Sequence, residues 1–154
     1  WTKEQRSSST DVPAFPTATF HARLDPKRVA TAADVVAAID KPGIRIVDAR
    51  TPGEIAGTDL RGIKRGGAIP SSVPGYWEDT FDPDTKAFRS TAEIEKIYRD
   101  RSILPDTDVI TYCQVGMRAS HDLFTLALIG HTKARVYYGS WDEWGNRDDL
   151  PIRK

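Results

Sequence analysis

The chain has 154 residues, enough for one domain with a sizeable core and short for two. Its 39% hydrophobic and 29% charged residues exclude a disordered chain, and 22 basic against 22 acidic side chains leave no net charge to attract nucleic acid or an acidic membrane. No apolar run could span a bilayer, and a single cysteine excludes an internal disulfide and a cysteine-rich metal site while fitting a reducing, cytoplasmic setting.

The polar run after Trp1, with Pro13 and Pro16 among serines and threonines, reads as a linker or extended lead-in. FHAR at 20–23 reads as a short edge strand. Thr31 then caps a helix carried by AADVVAAI, which Pro42 and Gly43 end. IRIVDA at 44–49 is rich in β-branched residues and predicts a buried strand. From Arg50 to Pro83 the chain has six glycines and four prolines, so it is expected to be mostly loop, with a helical turn near Glu54 and a short strand near Ala68 and Ile69. Ile94, Ile97 and Tyr98 share one face of a helix beginning at Thr91. VITYC at 109–113 predicts a second central strand, and 118–129 a helix closed by Gly130. ARVYYG at 134–139 gives a third strand, and SWDEWGNRDDLP an aromatic, turn-rich tail. Strands alternating with helices predict an α/β domain whose mostly parallel sheet is covered on both faces. Ligand sites in such sheets gather beyond the carboxyl ends of the strands, where Asp48, Arg50 and Cys113 all fall.

Cys113 is either a small core hydrophobe at a strand end or a nucleophile. The residues after it favour the nucleophile. Gly116 allows CQVGMR to curl so that N–H groups of Gln114, Val115, Gly116 and Met117 face inward. The helix that follows adds its positive end, and Arg118 adds a full charge and a fork suited to an oxyanion. All of these favour thiolate over thiol. Cysteine phosphatases place five residues between cysteine and arginine. Here there are four, a tighter ring better suited to a sulfur carried on the cysteine than to bound phosphate.

These motifs resemble the rhodanese family, and most closely the C-terminal catalytic domain of tandem-domain thiosulfate sulfurtransferases. IVDAR at 46–50 is similar to the family's first signature strand, and RGGAIPSS at 65–72 to its glycine-histidine-isoleucine-proline turn. VITYCQVGMRASHDLF at 109–124 resembles the active loop and helix, and VYYGSWDEWGNRDDLP at 136–151 the closing motif. The resemblance implies a rhodanese-like fold over 18–154, with 1–17 a lead-in from a preceding rhodanese domain against which the catalytic one packs. It implies sulfane sulfur transfer from thiosulfate, through a Cys113 persulfide, to cyanide, a thiol or a protein thiol, with no cofactor. A persulfide carrier in a sulfur relay is the alternative. Mercaptopyruvate enzymes are less similar, since their loops read Cys-Gly-Ser/Thr-Gly. Four positions depart from the family pattern. Ala68 replaces a histidine, Gln114 and Val115 replace basic loop residues, and Glu54 stands where tandem members often carry a second substrate arginine.

The expected donor-binding set is therefore Arg118, the loop residues Gln114, Val115, Gly116 and Met117, and Arg50, which reads equally as a salt-bridge partner. Asp48 is expected to support a nearby N–H or arginine. Trp141 and Trp144 are expected to pack over the last loops, with Trp141 also a candidate wall of the pocket. His121 reads as structural or solvent-facing. It shares no metal spacing with His21 or His131, so no metal site is proposed.

Overall fold

A computed structural model describes all residues, Trp1 to Lys154. Five strands form one parallel sheet, in the spatial order β1 (Val29–Ala30), β5 (Ala134–Tyr137), β4 (Asp108–Tyr112), β2 (Ile44–Asp48) and β3 (Val73–Pro74). The central strands β2 and β4 pair along their whole length, flanked by β5, β1 and β3. Alternation along the strands sends side chains to two faces. On one face Ile46, Ile110, Tyr112 and Tyr137 pack with α1 (Ala32–Ala38), α5 (Ser140–Trp144) and Ile69. On the other, Val47, Val109 and Ala134 pack with α3 (Thr91–Asp100) and α4 (Met117–Leu128). Helices thus cover both faces, as the strand and helix alternation predicts. No helix is long and apolar enough to cross a membrane.

Short helices begin where the sequence supplies a reciprocal cap. Thr31 with Asp34 caps α1, Thr51 with Glu54 caps α2 (Pro52–Ala56), and Ser90 with Glu93 caps α3. Gly130, in the left-handed region, follows the end of α4 as expected.

Two expected strands are absent. FHAR at 20–23 is not a strand: Phe20 and, just beyond it, Leu24 are exposed, and the sheet edge is Val29–Ala30. Ala68 makes only a single antiparallel bridge, with Arg153, and the strand beside β2 is Val73–Pro74. The reason is local. At Gly67 (φ +121°) an added Cβ would sit 2.5 Å from the Arg153 carbonyl, so the C-terminal tail occupies the place of a sheet neighbour.

Candidate active site

β4 delivers Cys113 to the carboxyl end of the sheet, where its side chain packs with Ala49, Ala119 and Val136 at the foot of α4. The loop turns back at Gly116 (φ +87°), whose backbone lies against Tyr138; an added Cβ would meet that ring at 2.8 Å. This turn brings the Gly116 N–H to within 3.2 Å of Cys113 Sγ. The first residues of α5 hold the loop from below. Cys113 N–H donates to Ser140 Oγ (3.1 Å), which donates to the Tyr137 carbonyl (2.9 Å). The N–H groups of Trp141 and Asp142 donate to the carbonyls of Cys113 and Gln114, both at 2.9 Å. The closing motif therefore clamps the cysteine loop through backbone bonds, a role that sequence reading did not assign to Ser140.

Cys113 forms the floor of a cup of about 410 Å³ walled by Arg61, Trp77, Gln114, Val115, Met117, Arg118 and His121. Arg118 faces Glu54 bidentately, with Nη1–Oε2 and Nη2–Oε1 both at 2.7 Å. Those bonds, working against the cost of burial, keep the guanidinium charged more firmly than usual, with the nearby Cys113 sulfur adding to the effect. Burial pushes the Glu54 carboxyl upward. The Arg118 fork and the Thr51 cap outweigh it and bring the carboxyl down to about 2. Arg61, 3.9 Å from Glu54, has a side chain 55% exposed.

The expected residues divide. Gln114, Val115, Met117 and Arg118 do wall the cup, and Gly116 shapes it from the backbone. Arg50 is corrected from donor ligand to buried partner. It is 1% exposed and stacked 4.3 Å from the Trp141 ring. Its fork binds both Asp48 oxygens and the Gly67 carbonyl. Asp48 fills its supporting role there, accepting also from the Tyr112 hydroxyl. Trp141 covers this knot and donates to the Arg65 carbonyl (3.1 Å), so it does not wall the cup. The cause is strand parity. Tyr112, beside the Asp48 knot, and Cys113 are adjacent residues, and adjacent residues of a strand point to opposite faces.

Three further residues share the cup wall. Arg61 and Trp77 lie in the glycine-rich stretch, which has no periodicity to reveal them. His121, expected to be structural or solvent-facing, is half-buried on the cup wall, stacked on Phe88, tilted against Phe81 and edge-on to Trp77.

Comparison with known proteins agrees with this geometry. Residues 31–147 match the rhodanese-like domain. The chain is 39% identical, over 99% of its length, to 53% of a thiosulfate sulfurtransferase of Corynebacterium glutamicum. It is 30% identical, over its full length, to 58% of the sulfur carrier protein TtuD of Thermus thermophilus. It spans about half the length of the curated relatives it matches. Among solved structures, wild-type EanB superposes with a TM-score of 0.88 at 26% identity, covering 100% of this chain and 38% of that one. Four motifs in order, a cysteine cradled at a strand end and a family match over most of the chain lead to one assignment: the chain belongs to the rhodanese-like domain family.

Proposed function

We propose that residues 18–154 form a sulfurtransferase domain that moves sulfane sulfur from thiosulfate, through a persulfide on Cys113, to a cyanide or thiol acceptor. The single observation that carries this reading is the cysteine cradle: buried Cys113 lining a small cup, with the Gly116 N–H on its Sγ and the Arg118 cation beside it. In the first step the Cys113 thiolate attacks the outer sulfur of thiosulfate. The donor's S–S bond breaks, its electron pair leaves with sulfite, and the persulfide remains. Backbone N–H and guanidinium groups stabilise the anionic sulfur at both stages. Because both terminal nitrogens of Arg118 are on Glu54, we assign the donor's sulfonate to Arg61, the exposed second cation of the wall. In the second step the acceptor attacks the outer sulfur and the Sγ–S bond breaks toward Cys113. A cytoplasmic setting would keep the thiol reduced between turnovers.

A second reading, a sulfur relay to a protein thiol, is supported by the apolar rim of the cup. Met117 is 76% exposed and Tyr138 67%, beside an exposed Val115. A preceding rhodanese domain, joined through residues 1–17, is a further partner this rim could meet.

Mass spectrometry after incubation with thiosulfate tests the main reading. Cys113 should gain one sulfur and lose it on addition of cyanide, and Cys113→Ser should fold normally and gain none. Absence of the gain in the unmodified protein would sink thiosulfate donation. Transfer by Cys113→Ser would sink the nucleophile assignment. Comparing small thiols with protein thiols as acceptors separates enzyme from relay.

A further inference from the structure

Thiosulfate brings no proton into the cup, so the first half-reaction needs no base. A thiol acceptor does bring one, and that proton must leave before its sulfur can attack. Among the side chains walling the cup, Arg61 and Arg118 are cations, Gln114 is an amide, and Val115, Met117 and Trp77 offer no basic atom. Glu54 lies behind Arg118, held down to about 2, and is too weak a base for a thiol. His121 is the one remaining group.

Its ring is held for the task. Nε2 lies 2.7 Å from Thr80 Oγ1, a buried hydroxyl whose single proton is directed to the Trp77 carbonyl at 3.0 Å. The hydroxyl must then accept from His121, which places the ring proton on Nε2 and leaves a lone pair on Nδ1. Phe81, Phe88 and Trp77 fix the ring plane. Burial pulls the imidazole below its usual 6.5, against the opposing pull of the Trp77 carbonyl, so the ring is neutral at neutral pH. The charged or titratable groups sharing its cavity are Arg61, Arg118 and Cys113. The turn that holds it (Trp77–Thr80) also carries Glu78 and Asp79, the latter engaged by Arg101.

We infer that His121 is the general base of the acceptor half-reaction, accepting at Nδ1 the proton of an incoming thiol. The inference rests on the sulfur transfer proposed for Cys113. The acceptor's S–H bond gives its proton to His121 and its electron pair to the outer sulfur of the Cys113 persulfide. The Sγ–S bond then breaks, its electron pair returns to Cys113, and the product leaves as a persulfide that can take the proton back.

The test preloads the Cys113 persulfide with thiosulfate, removes the donor and follows loss of the extra sulfur. One acceptor is an alkyl thiol, protonated at neutral pH with a pKa of about 8.5. The other is an aromatic thiol already ionised there. In His121→Gln, whose amide can still donate to Thr80, the alkyl-thiol rate relative to the aromatic-thiol rate should fall about 10²-fold, the usual reach of a general base. In the unmodified protein the alkyl-thiol rate should stay level from about 8.5 down to the His121 titration below 6.5 and fall only there, whereas in the variant it should fall continuously from about 8.5 with the thiol's own ionisation. Equal slowing of both thiols, or the same pH profile in both proteins, would make His121 a wall only. Should the variant not load or not fold, the unmodified protein decides: a larger solvent isotope effect with the alkyl than with the aromatic thiol supports the base, and equal effects overturn it. If the unmodified protein forms no persulfide, the sulfurtransferase reading itself fails, and the role of His121 goes with it.

Discussion

Two arginine–carboxylate pairs stand at the carboxyl end of the same sheet. Arg50 and Asp48 are both 1% exposed, sealed by Trp141 on the α1 and α5 side. Arg118 and Glu54 have the same bidentate chemistry, but the guanidinium opens onto the sulfur cup. In the first pair every polar atom faces protein, so the ions lock β2 to the glycine turn at Gly67 and β4 to both. In the second, one member faces protein and the other faces the cup. The same pairing is a fastener in one place and a positioned charge in the other. What differs is which side of the sheet the residues leave from.

The largest expected effect lies in the sealed pair. Arg50→Ala should lose roughly 3–5 kcal/mol in chemical denaturation, because it strands a buried carboxylate. A loss under about 1 kcal/mol would erase the distinction between the pairs. Glu54→Gln should cost less, about 1–2 kcal/mol, since the amide retains part of the Thr51 cap. It should also free the Arg118 fork, so the donor KM should fall severalfold; a rise would show that Arg118 needs its carboxylate to stay in place.

pH sharpens the same contrast. The folded Glu54 carboxyl titrates at about 2, below its ordinary 4.5. Its depressed value means the folded state holds the ionised form, so this stabilisation is complete above about 4.5 and is lost as pH falls toward about 2. The stability difference between the unmodified protein and Glu54→Gln should therefore shrink across that window. A constant difference would contradict the assignment. The smallest stability effect belongs to Arg61→Ala, within about 0.5 kcal/mol for so exposed a side chain. Its donor KM should nonetheless rise about five- to tenfold, equivalent to roughly 1 kcal/mol of lost charge interaction. An unchanged KM would return the sulfonate to Arg118.

Much of this was legible before folding. Periodicity located α3 and α4, and β-branched runs located β2 and β4. The spacing of Cys113, Gly116 and Arg118 pointed to a curled loop facing a helix start. These are local properties, set by backbone preference and side-chain period within a dozen residues. FHAR failed because an apolar–polar alternation makes a strand only where a neighbour can pair with it, and Phe20 has none.

What the tertiary structure alone decided was partnership. Sequence placed Arg50 and Cys113 at neighbouring strand ends and suggested one site. Side-chain alternation carries Arg50 beneath Trp141 and leaves Cys113 with α4. Glu54, which seemed a lost substrate arginine, proved to be the partner of Arg118, 64 residues away. Arg61, Trp77 and His121 meet around the sulfur only because an irregular loop folds over the end of the sheet, and no periodicity encodes where such a loop comes to rest. The sequence alone singled out Cys113; packing of distant segments determined which charges and which imidazole surround it.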